Sequence, residues 1–171
     1  AVLYDADGRV LAESDGQGNA YGQSYDPRGN IAANVDEEGH VTTYLYDLAG
    51  RRVEALYPDG SAAKAVYDSA GHLVYKSESY FPGSGNLPNA THDVYDANGR
   101  MIREEVLSGG DIRVTKIADG GYETSFVSAS GVVSSSSSEY DAAGRVTSTT
   151  DIRGGVTRYE YDAAGRVTAT A

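Results

Sequence analysis

The sequence predicts an all-β fold: a repetitive strip of antiparallel β-hairpins, spiralling or solenoid-like, with about two strands per 21-residue repeat. Three observations predict it. The core Tyr-Asp-x-x-Gly recurs seven times, starting at Tyr4, Tyr25, Tyr46, Tyr67, Tyr95, Tyr140 and Tyr161, and the first four copies and the last two keep a period of 21. Glycines cut each period in half, as at Gly8, Gly18 and Gly29. Between the glycines, β-branched and aromatic residues alternate with period two. A fixed period means one supersecondary unit stacked many times, which leaves few residues for a unique active site.

The first unit shows the turn chemistry. In Asp5-Ala6-Asp7-Gly8 the leading aspartate can accept a backbone N–H two or three residues on, and the glycine can take the left-handed conformation. Asp26 and Gly29 frame the same turn in the second unit, with Pro27 suited to a type I turn. Further along the second unit, Val41, Thr43 and Leu45 point one way, and Thr42, Tyr44 and Tyr46 the other. Asp47 and Gly50 open the third unit. It departs from the others by placing Arg52 two positions after the glycine, where they have Val10, Ile31, Leu73, Met101, Val146 or Val167. A bulge or register shift is expected there. Asp68 and Gly71 mark the fourth turn.

An insertion of seven residues follows, within 79–92, before Asp96 and Gly99 mark the fifth turn. A step of 21 from Tyr95 reaches Lys116, where residues 116–122 keep the glycine and lose the Tyr-Asp pair, making a degenerate eighth copy. Three extra residues precede Asp141 and Gly144, and Asp162 and Gly165 close the series. The serine run 134–138 beside that insertion reads as a polar strand or a loop. The whole of 1–171 is thus expected to be a single array of about eight repeats, with both ends cut from a longer one. Sequential hairpins would bring the seven motif tyrosines into a ladder of rings on one face.

Composition excludes several functions. The net charge of −11 leaves no cationic excess to displace counterions from nucleic acid, and it disfavours anionic membrane surfaces. With no cysteine there is no disulfide, thiolate metal site or cysteine nucleophile. No apolar run is long enough to insert in a bilayer as a helix, and no signal peptide is visible.

No catalytic, cofactor or metal residue is expected. The motif aspartates resemble an EF-hand loop only at Asp5-Ala6-Asp7-Gly8, where the glycine is two places early and no closing glutamate follows. They read as turn caps. The residue after the glycine is Arg9, Arg100, Arg145 or Arg166, but also Asn30, His72 and Gly121, so no fixed chemistry is demanded there. Pairing with an acid of the adjacent strand is the expected role. His40, His72 and His92 share no ligand spacing. Tyr80 and Phe81, in the insertion, form the candidate interaction loop.

The stretches YDADGRV at 4–10 and YDAAGRV at 140–146 and 161–167 carry a family resemblance. Across essentially the whole chain the sequence resembles the YD repeats, also called Rhs repeats. The resemblance implies an antiparallel strip that spirals into a shell. In bacterial Rhs proteins, toxin-complex subunits and wall-associated proteins, such a shell encloses a toxic C-terminal domain; in animal teneurins a similar barrel belongs to an adhesion receptor. The expectation is a non-enzymatic scaffold, secreted or at the cell surface. Its partners would be other repeats, of the same or identical chains, joined through sheet edges, and an enclosed cargo domain. The alternative is an adhesive or filament-forming element built on open strand edges.

Overall fold

The computed structural model describes residues 1–15, 17–77, 80–82 and 88–171. Its strands follow the glycine rhythm. The first eight are β1 (Val2–Tyr4), β2 (Val10–Ser14), β3 (Ala20–Tyr25), β4 (Ile31–Val35), β5 (Val41–Tyr46), β6 (Arg52–Leu56), β7 (Ala62–Tyr67) and β8 (Leu73–Ser77). After the insertion come β9 (Ala90–Tyr95), β10 (Met101–Ser108), β11 (Asp111–Lys116) and β12 (Tyr122–Ser128). The last four are β13 (Gly131–Tyr140), β14 (Val146–Thr150), β15 (Val156–Tyr161) and β16 (Val167–Thr170). The serine run is therefore part of a strand.

Fourteen strands form one antiparallel sheet, ordered β1 through β10 and then β13 through β16. Neighbouring motif hairpins lie side by side, as expected of a strip. The degenerate copy does not. Its strands β11 and β12 pair only with each other and lie against β6, β7 and β8. It keeps the turn: Gly120 has φ +79°, and its N–H donates to the Ile117 carbonyl at 3.1 Å. It has lost its place in the sheet.

Every Tyr-Asp hairpin contains a bulge. Tyr4 faces Val10 while Leu3 faces Ala12, so Leu11 is extra. Tyr46 faces Arg52 while Leu45 faces Glu54, which leaves out Val53. The same slip recurs at Tyr25, Tyr67, Tyr95, Tyr140 and Tyr161. The bulge expected at Arg52 alone is thus a property of the unit. The glycine-closed turn sets the two strands out of step, and one residue must drop out to restore pairing. Bulges increase right-handed twist, so each repeat adds a similar increment of coiling.

Register also fixes the faces. Side chains of directly paired residues share a face, and successive residues alternate. Carried from pair to pair along the strip, this places all seven motif tyrosines on one face. The β11–β12 hairpin covers the other. There the Phe126 ring stacks on Tyr75 at 4.2 Å, Tyr75 stacks on His92 at 4.3 Å, and the Lys64 ammonium donates to the Ile112 carbonyl at 3.0 Å.

This is where the core sits. The buried apolar residues are Val53, Ala55, Ala62, Val66, Ala90, Leu107 and Ile112, all between β6 and β11. Apart from that stretch and β12, the described strands form a single layer with no buried apolar side chain. At the hairpin's base, a Cβ placed on Gly110 would lie 2.2 Å from the Ala90 Cβ. At its tip, the Arg28 guanidinium donates to the Asp119 carbonyl at 2.7 Å, tying the hairpin to the turn of the second unit.

Candidate functional site: the joint between repeats

The motif turn is built by its aspartate. One Asp5 carboxylate oxygen accepts the N–H groups of Asp7 and Arg9 at 2.9 and 2.8 Å; the other accepts the Arg9 Nε at 2.7 Å. The accepted N–H groups lie two and four residues on, rather than two and three, because the glycine turns the chain back before the fourth residue. Asp47, Asp96, Asp141 and Asp162 repeat the arrangement with Arg51, Arg100, Arg145 and Arg166. Asp26 does so with Asn30, and Asp68 with His72. Gly8, Gly29, Gly50, Gly71, Gly99, Gly144 and Gly165 all have φ between +75° and +94°. That is the region an L side chain rarely adopts.

The backbone N–H of the arginine four residues on is the main reason that Asp5, Asp96, Asp141 and Asp162 hold their protons less tightly than an ordinary aspartate. At Asp68 the His72 side chain is the leading cause.

The arginine pairs with the aspartate of its own turn and reaches the next repeat with its flat face. The Arg9 guanidinium lies 4.6 Å from the ring centre of Tyr25, Arg51 4.7 Å from Tyr67, Arg100 4.6 Å from Tyr140 and Arg145 4.8 Å from Tyr161. His72 takes the same position, stacked on Tyr95 at 4.6 Å. The tyrosine completes the joint. Its hydroxyl donates back to the carbonyl just after the slot residue: Tyr25 to Val10 at 2.9 Å, Tyr67 to Arg52 at 3.2 Å, and Tyr95 to Leu73 at 3.1 Å. Tyr140 donates to Met101 at 3.2 Å and Tyr161 to Val146 at 2.7 Å. The tyrosines thus share a face but are not a ladder of rings in mutual contact; at five of the six junctions a cation or an imidazole sits between units.

The fixed chemistry of the slot, which variability at Asn30 and Gly121 argued against, lies in this joint. Asn30 holds its own aspartate but puts no cation over Tyr46. The degenerate unit has neither half of the joint, with Lys116 where the tyrosine would be and Gly121 where the arginine would be. It is the unit the strip expels. Arg100 meets Tyr140 directly instead, closing the sheet over it.

Other sequence candidates fall elsewhere. Tyr80 bridges to Ala62 and lies 5.6 Å beneath the Lys64 ammonium, and Phe81 is exposed. Residues 79 and 83–87 of the insertion lie outside the described residues. Among described residues the one trio able to hold a metal is Asp36, Glu38 and His40, all exposed, with Asp36 capping its own turn. Asp93 is a buried carboxylate that the sequence reading passed over. Burial makes it harder to ionise, and one of its oxygens has no partner.

A family model described as RHS Repeat matches residues 4–35, 25–62 and 140–171, more than half of the chain. No curated protein sequence matches. Among solved structures the chain is similar to a mutant form of the Photorhabdus luminescens Tc holotoxin pore, with TM-score 0.53 and 17% identity over 99% of this chain and 10% of that one. It is similar also to the TcdB2-TccC3 crystal structure, with TM-score 0.52, 17% identity and the same coverage. At that identity the likeness is one of fold, and the chain spans about a tenth of the solved chains it matches.

Proposed function

The chain belongs to the RHS repeat family, and from that premise we propose that it is a non-enzymatic wall segment of a large secreted or surface-displayed bacterial protein, whose β-shell encloses and delivers a toxic cargo. The observation that carries this reading is the joint. At five of the six junctions between motif units, one aspartate, the residue after its glycine and the next unit's tyrosine form a clamp, so the repeated residues are used in holding the wall together. The bulge in each unit supplies coiling, which a wall needs if it is to wrap around a space. Among the described residues, the largest departure from the repeat is a hairpin laid on the face away from the tyrosines. The likeness in fold to the toxin-complex structures supports the same reading.

The test is cryo-electron microscopy of the native gene product, paired with limited proteolysis. The expected particle is hollow, with this segment as part of its wall and a domain inside that resists protease until the wall is opened. A solid particle, or an array with no lumen, would sink the proposal.

A further inference from the structure

Among the described residues Asp93 is the only buried carboxylate. It lies inside β9, on the tyrosine face, two residues before the motif tyrosine Tyr95. It is 6% exposed, and its Oδ1 has no hydrogen-bond partner. The motif turns show the contrast, since the Asp5 carboxylate accepts three bonds from its own turn. A buried polar atom left unpaired weakens a fold, and a charged one weakens it most.

Register shows what surrounds Asp93. It faces Glu104 of β10, and its neighbour Thr91 faces Lys76 of β8. Glu104 thus stands directly across the ladder with the same sign of charge, a destabilising arrangement. Lys76 stands one pair along on the other side, is exposed, and gives Oδ1 no hydrogen bond. Tyr75, His92, Arg103 and Glu105 lie on the opposite face, where His92 pairs with Glu105 at 3.0 Å. Burial is the main reason that Asp93 holds its proton more tightly than an ordinary aspartate. The Lys76 and His92 charges oppose this, and the Glu104 charge adds to it.

We infer that Asp93 is a proton-operated clasp on the β8–β10 seam, firm when its carboxyl is protonated and slack when it is ionised. The neutral acid has an O–H to donate, and register sets the Glu104 carboxylate opposite as an acceptor. The pH dependence is opposite to that of the motif turns. A raised folded value means that this contribution is fully present below the unfolded value of 3.8 and is lost as pH rises through the folded one. Asp5, Asp96, Asp141 and Asp162 contribute above 3.8 and lose their share only in stronger acid. The seam also carries the footing of the expelled hairpin. The Gly110 N–H donates to the Pro88 carbonyl at 2.8 Å, just before β9, and Ala90 of β9 packs against Gly110. Slackening the seam therefore loosens the hairpin's base. The inference rests on one buried carboxylate and not on the shell reading, so either can fail alone.

Urea titration of the natural chain and of Asp93→Asn, at intervals from about pH 4 to about pH 7, tests it. Asparagine keeps the shape and cannot ionise, and His92 is common to both chains. The expected result is a variant that gains on the natural chain as pH rises. Its advantage in the folding equilibrium should grow about tenfold for each pH unit by which the folded value of Asp93 exceeds 3.8. A difference between the two chains that stays flat over that range, or moves the other way, would overturn the inference. Carboxyl-carbon NMR of the natural chain gives a second reading that needs no variant. Asp93 should titrate above 3.8, and a midpoint at or below that value would overturn the inference as well.

Discussion

Gly110→Ala is the most direct probe of how the expelled hairpin is held. Gly110 sits between β10 and β11 with a negative φ, so alanine suffers no backbone strain there. The cost is contact: the new Cβ would lie 2.2 Å from the Ala90 Cβ and 3.3 Å from its Cα and N. Ala90 cannot yield, because it is fully buried and paired on both sides, with Ser77 and with Leu107. The hairpin must lift instead, and overpacking of this kind costs about 1–3 kcal/mol. At tenfold per 1.4 kcal/mol, the docked state then opens roughly 5- to 150-fold more often. Hydrogen exchange read by mass spectrometry should show that acceleration in peptides from 111–128 and leave β14–β16 unchanged. Gly131→Ala is the matched control, since a Cβ there meets nothing within 4 Å. Equal exchange in the two variants would refute the packing argument.

Three further outcomes follow from the joint and its turn. Tyr161→Phe removes the 2.7 Å bond to the Val146 carbonyl and should cost about 0.5–1.5 kcal/mol in urea titration; Tyr159→Phe, with no such bond among the described residues, serves as the comparison. Gly8→Ala forces an L side chain to φ +80° with nothing nearby to clash. It should cost about 1–2 kcal/mol, with Gly8→Asn recovering part of the loss. Asp5, Asp96, Asp141 and Asp162 titrate below their ordinary 3.8 when folded. Their contribution is therefore fully present above the unfolded carboxylate value and is lost as pH falls through the folded ones. Circular dichroism should hold steady from pH 7 down to about 5 and decline only in stronger acid; a loss of strand signal centred near neutral pH would contradict this.

The strip was legible in the sequence because its turns are chemically explicit. Asp5 and Gly8 state a turn without reference to anything distant, and the alternation at 41–46 states a strand. The joint was harder to see because its two halves belong to different units. Arg9, Arg51 and Arg145 each stand 16 residues before the tyrosine they cover, a constant offset visible in the sequence. Arg100 hides the rule, because its tyrosine lies 40 residues on, beyond the expelled unit. That unit's fate was also written, in the absence of both Tyr and Arg at 116 and 121, but it reads only once the joint is known. The bulge gave a local sign only at Arg52, where the apolar pattern breaks, and none in the other units. Leu11, Val53 and Thr147 share no property that marks them as supernumerary. It arises from how a glycine-closed turn meets a ladder.

The meeting of Arg100 with Tyr140 has a practical consequence for how such a molecule can change. Those two side chains meet across the base of the β11–β12 hairpin, where Ser108 and Gly131 also face each other, so the masonry has a built-in doorway. A longer or different loop between Ser108 and Gly131 leaves the ladder pairing of β10 with β13 in line on either side. Inheritance can use that doorway to fit new ornaments to an old wall, and so can a protein engineer.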